Sequence, residues 1–176
     1  MRAMLRRKTT LTESAAPLMV IDKPHDAICM RAERFLRSNG FSVAFSDRFQ
    51  AAVATGEKPD AIGFRNGASC LIEVKCSRSD FLADRKKHFR IEPSQGMGDW
   101  RFFMCAPGII EINDLPAGWG LLHVSGHTVK KVHGWPPNSN WLTRKPFSAN
   151  KQAECDFLYS ALRRSRHEIS KEVENA

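Results

Sequence analysis

Three ionisable side chains stand at spacings that suit a metal-dependent hydrolase. Asp60 follows a proline, and Glu73 and Lys75 stand two residues apart in the run Glu73-Val74-Lys75. Two carboxylates held side by side repel each other, and Mg²⁺, which prefers oxygen ligands, can relieve that repulsion by binding between them. A nearby ammonium can orient or deprotonate a metal-bound water and stabilise charge on a phosphate. The pattern therefore indicates hydrolysis of phosphodiester bonds.

A predicted β-hairpin positions these side chains. Ile62 and Phe64 mark one short β-leaning run, and Leu71, Ile72 and Val74 mark another. Between them stands Asn66-Gly67, which is the strongest short signal for a hairpin turn. A two-residue turn there would pair Arg65 with Ala68 and continue the pairing outward along both strands.

This register predicts that Asp60 lies opposite Glu73. Directly paired residues have Cβ atoms about 4.5–5.5 Å apart on one face of the sheet, and Lys75, two residues beyond Glu73, emerges on that face as well. In the alternative interpretation, Glu73 and Lys75 form a salt bridge on a solvated face. The flanking residues are apolar on both faces, which favours a covered central strand.

The same residues resemble a known superfamily. Pro59-Asp60 followed by Glu73-Val74-Lys75, on a strand–turn–strand–helix pattern, is similar to the signature of the PD-(D/E)xK nucleases. Within that superfamily, the string EVKCSRSDFLADRKKHFR at 73–90 and the later WGLLHV at 119–124 resemble the MmcB-like DNA-repair endonucleases. The resemblance covers residues 25–125.

The resemblance implies a fold and a ligand set. The fold would be a three-layer, restriction-endonuclease-like α/β arrangement, with a mixed central sheet flanked by helices and an αβββαβ core. Asp60, Glu73 and the Val74 carbonyl would bind Mg²⁺, for which Mn²⁺ can substitute, and Lys75 would act on the attacking water. An acid on the first helix often supplies a further ligand in this superfamily, and Glu33 is the candidate. The alternative for Glu33 is an ordinary glutamate beside Arg37.

A basic helix is predicted after the central hairpin. Ser77 or Ser79 can cap it, and Phe81 and Phe89 mark its apolar side up to about residue 89. Cations in its later turns complement the helix dipole, and they would also line a DNA backbone that approaches the metal site. The DNA-binding candidates are Arg78, Arg85, Lys86, Lys87 and Arg90.

The remaining pattern completes a mixed α/β architecture. The predicted elements are a helix over 25–39 ended by Gly40, strands over 41–45 and 100–105, a second hairpin over 121–132, and a last helix over 149–167. The segment 133–149 interleaves tryptophans with cations, which can stack on bases. We favour the alternative, an aromatic lid over the sheet. Residues 1–22 are predicted to be a basic flexible arm, 23–168 the nuclease-like domain and 169–176 a charged tail.

The net charge and the cysteine content of the chain indicate what kind of partner it binds and in which compartment it works. The formal charge of +8 indicates a polyanionic partner, nucleic acid before membrane, because the sequence has no long apolar span. The alternative is that the charge serves only solubility. Five cysteines without C-x-x-C or Cys/His zinc spacing predict a reducing cytoplasm and no structural zinc, and the six histidines are scattered.

The sequence therefore predicts a Mg²⁺-dependent DNA endonuclease that acts in DNA repair or in the processing of phage or mobile-element DNA. The alternative is a catalytically silent nuclease-fold protein that binds DNA or regulates a partner complex. A homodimer or an accessory protein partner is left open by the sequence.

Overall fold

A six-stranded mixed sheet forms the centre of the structure, a computed structural model that describes residues 24–174, with side chains as far as residue 167. The strands lie side by side in chain order. Pairing is antiparallel from β1 to β3, parallel from β3 to β5 and antiparallel between β5 and β6. The strands are β1 (Val43–Ser46), β2 (Ala61–Arg65), β3 (Ala68–Lys75), β4 (Trp100–Cys105), β5 (Trp119–Ser125) and β6 (Thr128–His133).

Helices cover both faces of this sheet. Their bounds are α1 (Pro24–Ser38), α2 (Arg78–Asp84), α3 (His88–Ile91) and α4 (Lys151–Glu174). Leu36 of α1 belongs to the apolar cluster on one face, while Phe81 of α2 and Phe157 of α4 belong to the cluster on the other. The predicted α/β arrangement with a mixed sheet between helices is confirmed. Within the described range, no helix combines the length and apolar character needed to cross a membrane.

The central hairpin has the predicted register. Arg65 pairs with Ala68 and Ala61 pairs with Ile72, and Gly67 takes a positive φ of 76° that a glycine adopts without strain. Asp60 precedes the first paired residue of β2, and the predicted pairing of Asp60 with Glu73 is not among the observed pairs, which end at Ala61 and Ile72. Every residue of β3 is buried, which confirms the covered central strand.

The single helix predicted over residues 77–89 is wrong, since the structure has two short helices there. Ser77 caps α2 as expected, because its side chain accepts a hydrogen bond from the Asp80 N–H. The chain then leaves the helical path, with Lys87 in an extended conformation before α3. The break brings the guanidinium of Arg90 back to the buried carboxylate of Asp84, and this contact replaces the continued helix.

The C-terminal helix is longer than the sequence predicted, and the predicted N-terminal arm cannot be compared. The predicted basic arm, residues 1–22, lies outside the described residues. The last helix runs to Glu174, beyond the predicted end at residue 167, so it takes in most of the segment predicted as a charged tail.

The aromatic segment after β6 packs as a lid over the sheet, as we favoured. Trp141 is 1% exposed, and its ring lies 5.0 Å from the rings of Phe41 and Trp100 and 5.1 Å from that of Trp135. The Trp100 indole N–H also donates to the Trp141 carbonyl. Trp100 and Trp141 are therefore unavailable for stacking on nucleic-acid bases, whereas Trp135 is half-buried.

A buried polar network fastens α4 to the sheet. Ser69 donates its hydroxyl to Glu154 at 2.6 Å, and the Asp99 carboxylate accepts the Ser69 N–H at 3.1 Å. Lys151 contacts both acids, at 2.9 Å each. Burial by itself would raise the pKa of Asp99, but the hydrogen bond and charge of Lys151 outweigh it and hold that pKa below the usual range.

Replacing Asp99 by Asn tests this network. We expect Asp99→Asn to lower the free energy of unfolding at pH 7 by about 2–3 kcal/mol, because a buried charged acceptor is lost. The folded-state pKa of Asp99 is depressed, so its contribution is present above the ordinary carboxyl pKa of about 3.9 and is lost as the pH falls through the folded value. Urea unfolding followed by tryptophan fluorescence should show the two proteins converging below about pH 4. Asp156→Asn is the matched control, and equal losses in both variants would contradict this role for Asp99.

Candidate functional site

Glu73 and Lys75 form a buried ion pair at the C-terminal end of strand β3. The Lys75 Nζ lies 3.4 Å from Glu73 Oε2, and the two side chains are only 4% and 3% exposed. The predicted convergence of these two residues is therefore present. The alternative, a salt bridge on a solvated face, is wrong.

Arg90 of α3 joins three buried carboxylates. Its Nη2 lies 2.8 Å from Glu73 Oε1, its Nη1 2.6 Å from Glu57 Oε1 and its Nε 2.9 Å from Asp84 Oδ2. The guanidinium carbon also lies 4.9 Å from the Trp119 ring centroid. The planar fork of arginine can face several carboxylates at once, so Arg90 neutralises this group from within.

Asp84 completes the arrangement from the end of α2. Its Oδ1 lies 3.4 Å from the Lys75 ammonium and 2.7 Å from that of Lys87. We call the set of Glu57, Glu73, Lys75, Asp84 and Arg90 the buried ion cluster. Since Asp84 shares Lys75 with Glu73, the lysine is held between two acids.

Burial and charge act in opposite directions on the two central acids. Burial raises the pKa of Glu73 to about 7, although Arg90 opposes the shift. Burial also acts to raise the pKa of Asp84, but Arg90 and Lys75 outweigh it and hold the pKa below its usual range. Of these two acids, Glu73 is therefore the one that takes up a proton more readily.

Asp60 lies at the open end of the hairpin. Its Oδ2 accepts the Val74 N–H at 2.8 Å. In the paired part of the hairpin, a backbone carbonyl of the neighbouring strand accepts the corresponding N–H. The Val74 carbonyl points to the same side of β3 as its N–H, hence towards Asp60. The Asp60 side chain is 18% exposed, so it is the most accessible of the three predicted catalytic residues.

The other oxygen of Asp60 faces α1. The His25 Nε2 lies 3.5 Å from Asp60 Oδ1, and the thiol of Cys29, one turn further along α1, lies 3.5 Å from His25 Nδ1. Asp26 and Asp47 add two further carboxylates near the histidine, at 3.5 and 3.7 Å from Nδ1. The Asp60 carboxylate is the largest influence on His25 and, with its neighbours, raises the pKa of the imidazole to about 9.

Glu33 lies away from this group. Its carboxylate contacts Arg37 at 3.0 Å across one helical turn, which is the alternative that the sequence left open. The α1 side chain that contacts Asp60 is the imidazole of His25, whose other nitrogen lies near Asp26. The structure thus does not assemble Glu33 with Asp60 and Glu73.

The predicted DNA-binding cations divide into two groups. Arg85 and Lys86 are exposed, Lys87 is exposed but contacts Asp84, and Arg78 is ion-paired with Asp114. Arg90, whose side chain is 6% exposed, lies inside the buried ion cluster rather than on the surface expected for it.

Sequence reasoning missed several members of the site. Glu57 stands in a loop and gave no signal, while Asp84 stands three residues after the apolar Phe81, a spacing that places both on one side of α2. His25 and Cys29 stand four residues apart on a predicted helix, which was sufficient to predict that they lie on one face.

Access to the site is restricted. Among residues 24–174, the best-formed surface cavities have volumes of about 310–500 Å³, and Asp60, Glu73 and Lys75 line none of these. The segment that contains α2 and α3 covers Lys75, so a phosphate reaches the ammonium only if that segment moves.

Comparison with known proteins gives a structural neighbour. None of the known protein families matches the sequence, and no curated protein does either. The fold is similar to that of a protein of unknown function from Silicibacter pomeroyi, with 25% sequence identity and a TM-score of 0.58. The match covers 86% of this chain and 96% of the other, so the similarity extends over nearly the whole of that protein.

Arg90 can be tested as the internal counter-charge of the site. We expect Arg90→Ala to lower the free energy of unfolding by about 3–5 kcal/mol, because three buried carboxylates lose their shared partner. Arg90→Lys keeps the charge but not the fork, so its loss should be smaller. Urea unfolding at pH 7 measures both. Arg85→Ala, an exposed cation from the same segment, should change stability by less than about 0.5 kcal/mol, and an equal effect of both alanine variants would refute the role of Arg90.

Proposed function

We propose that this protein is a Mg²⁺-dependent DNA endonuclease with a restriction-endonuclease-like fold of the PD-(D/E)xK type. The observation that carries the proposal is the register of the central hairpin. The pairing ends at Ala61 opposite Ile72, and Asp60, one residue beyond it, accepts the N–H of Val74, the residue between Glu73 and Lys75, through Oδ2. The Lys75 ammonium lies 3.4 Å from the Glu73 carboxylate. This is the acid–acid–lysine arrangement that phosphodiester hydrolysis needs.

The donor set fits a hard divalent cation. Asp60 and Glu73 offer carboxylate oxygens, and the Val74 carbonyl points to the side on which Asp60 lies; Mg²⁺ prefers such ligands. Arg90 occupies Glu73 Oε1 at 2.8 Å, whereas the Lys75 contact with Oε2 is long at 3.4 Å, so Oε2 is the oxygen open to a metal. When bound there, Mg²⁺ would polarise the phosphate and lower the pKa of a bound water.

The residues of the chain supply the remaining functions. Lys75 lies between Glu73 and Asp84 and would orient the attacking water and stabilise charge on the phosphate. Arg85 and Lys86, on the exposed side of the same segment, would hold the DNA backbone without reading its sequence. Because this segment also covers Lys75, DNA binding and access to the lysine are coupled.

The wider setting follows from the charge and the cysteines. A formal charge of +8 suits a polyanionic partner, and the five cysteines are free thiols, which suits a reducing compartment such as the cytoplasm. The resemblance to the MmcB-like endonucleases implies DNA repair, or the processing of phage or mobile-element DNA, as the biological role.

A second candidate function is favoured by Arg90. In this alternative the protein keeps the nuclease fold and binds DNA, or regulates a partner complex, without cutting. Arg90 lies 2.8 Å from Glu73, so a cation of the chain already pairs with one of the two acids that a metal would bind. In this alternative, the buried acids stabilise the fold through their ion pairs with Arg90 and need no metal.

Cleavage assays distinguish the two candidates. With Mg²⁺ or Mn²⁺, we expect the wild type to nick plasmid, single-stranded or branched DNA, and we expect Asp60→Asn to lower the rate by about 10²–10³-fold. Asparagine retains an acceptor for the Val74 N–H, so the fold is preserved while the charge is lost. Lys75→Met should have a similar effect, since it removes the ammonium at nearly constant volume.

The control for this assay is Asp80→Asn, which alters an exposed acid of the same segment and should leave cleavage unchanged. EDTA should abolish cleavage by the wild type. DNA binding without metal-dependent scission in the wild type would favour the second candidate, and absence of binding at low salt would contradict both.

The basic segment makes a separate prediction about affinity. Removing two phosphate contacts with Arg85→Ala and Lys86→Ala should weaken binding and reduce the slope of log affinity against log salt by nearly 2, at about 0.9 per contact on duplex DNA. Fluorescence anisotropy over a salt series measures the slope. The matched control, Lys130→Ala with Arg144→Ala, removes two exposed cations elsewhere, and the same change in slope for this control would contradict a specific role for the segment.

A further inference from the structure

A groove between α1 and β6 is lined by cations. Two adjoining cavities of about 500 and 350 Å³ form it, and both include Ser38 of α1. We call it the basic groove, after its charged side chains, which are Arg31, Arg34, Arg65 and Lys131. Among the described residues, no aspartate or glutamate lines either cavity. The positive potential in the groove is therefore not cancelled by neighbouring carboxylates, and it favours a polyanion.

The basic groove lies on the other face of the sheet from the segment that contains α2 and α3. Phe35, Val129 and Trp135, which line the groove, pack against the apolar cluster beneath α1. Phe81 of α2 belongs to the cluster on the opposite face. The groove is therefore separate from residues 78–90 and contains none of the cations that the sequence indicated for DNA binding.

Lys131 is held at the wall of the groove and keeps donors for a ligand. Its Nζ donates to Asn39 Oδ1 at 2.7 Å. It also lies 4.8 Å from the ring centroid of Trp135 and 5.7 Å from that of Phe35. These contacts position the ammonium without neutralising it, because none of the three partners is a carboxylate. An ammonium has three N–H donors, so further donors remain for the oxygens of an anion.

Arg65 lines the larger cavity from the end of β2. Its guanidinium carbon lies 5.7 Å from the ring centroids of both Phe41 and Trp141. Its Nη1 lies beside Gly40, which lines the same cavity, and this nitrogen is buried with no hydrogen-bond partner among the described residues. A buried donor of a charged group without an acceptor carries an uncompensated desolvation cost. An anion in the cavity would offset that cost.

The cations of α1 extend the groove along the helix. Arg31 Nη2 lies 3.4 Å from His127 Nδ1 in the turn before β6, and Arg34 is exposed, with no carboxylate partner in the part of the chain that the structure describes. The seven residues from Arg31 to Ser38 rise about 10 Å, which is close to three nucleotides at about 3.4 Å each. Both cavities have the size of small-molecule sites, so they suit one strand rather than a duplex.

We infer that the basic groove binds the phosphates of a single nucleic-acid strand. Arg65 and Lys131 contact the strand in the larger cavity, and Arg31 and Arg34 contact it in the smaller one. Contacts to the sugar–phosphate backbone hold the strand without reading its sequence. The inference does not depend on the proposed nuclease activity, because the groove needs neither a metal ion nor access to Lys75.

Binding of a fluorescent oligothymidylate of about twelve nucleotides, within the range of single-strand site sizes, tests the groove. The full-length chain is used in EDTA, and anisotropy is followed over a salt series. We expect Arg34→Ala with Lys131→Ala to weaken binding and to reduce the slope of log affinity against log salt by nearly 1.4, at about 0.7 per contact on a single strand.

The matched control is Arg163→Ala with Lys130→Ala, which removes two exposed cations outside the groove. Lys130 is the neighbour of Lys131 in β6, but successive side chains of a strand point to opposite faces. The control should bind like the wild type. An equal change of slope in the two double variants would show a general effect of net charge and overturn the proposal.

Arg65 gives a second, independent test. We expect Arg65→Ala to weaken binding of the oligothymidylate by at least about tenfold, since a charge-assisted hydrogen bond is lost. Arg65→Lys keeps the charge and should lose less, and it serves as the second variant if alanine disturbs the packing of Phe41 and Trp141. Far-ultraviolet circular dichroism checks the fold. Unchanged affinity in both variants would contradict the role of Arg65.

Competitors distinguish a strand from other sources of phosphate. At equal nucleotide concentration, unlabelled oligothymidylate should displace the probe, whereas thymidine monophosphate and a duplex should compete poorly. Equal competition by the monophosphate would show a site for free nucleotides, and preference for the duplex would show a duplex surface; either result would overturn the single-strand proposal. Because EDTA prevents metal-dependent cleavage, failure here is distinct from failure of the nicking assay.

Discussion

The structure depends on the balancing of three buried carboxylates by Arg90 together with the ammonium groups of Lys75 and Lys87. Glu57 comes from the loop before β2, Glu73 from β3 and Asp84 from α2, and each contacts Arg90. Glu57 also accepts the Met97 N–H at 2.6 Å, which ties in the loop before β4. Three buried acids are tolerated only if their charges are balanced, so the segments that supply them must fold together.

This constraint also sets the environment of the proposed chemistry. Glu73 lies in a dry region where its pKa is raised to about 7, chiefly by burial, whereas Asp60 stands at the rim and faces two groups, the Val74 N–H and His25. The two acids differ in solvent access, since the side chain of Asp60 is 18% exposed and that of Glu73 is 3% exposed. A metal ion bound by both would therefore lie at the boundary between the interior and solvent.

The features that the sequence predicted are those determined by local chemistry. The Asn66-Gly67 turn fixes the hairpin register within a few residues, and Gly40, with φ of 88°, ends α1 as the sequence indicated. The break between α2 and α3 was not predictable in this way, because it depends on Asp84 meeting Lys75 and Arg90 in the folded protein. The group around His25 was missed for the same reason, since Asp60 reaches α1 only through the tertiary fold.

The two edge strands, β1 and β6, are the places where the sheet of one molecule could pair with that of another. β1 has only four residues, too few to offer a long template to a second chain. β6 is longer, but Lys130 and Lys131 are both exposed on it, and charged side chains on an edge oppose pairing with another strand. Sheet extension from molecule to molecule would bring rows of like charge together, so the open borders of the sheet protect the protein against aggregation.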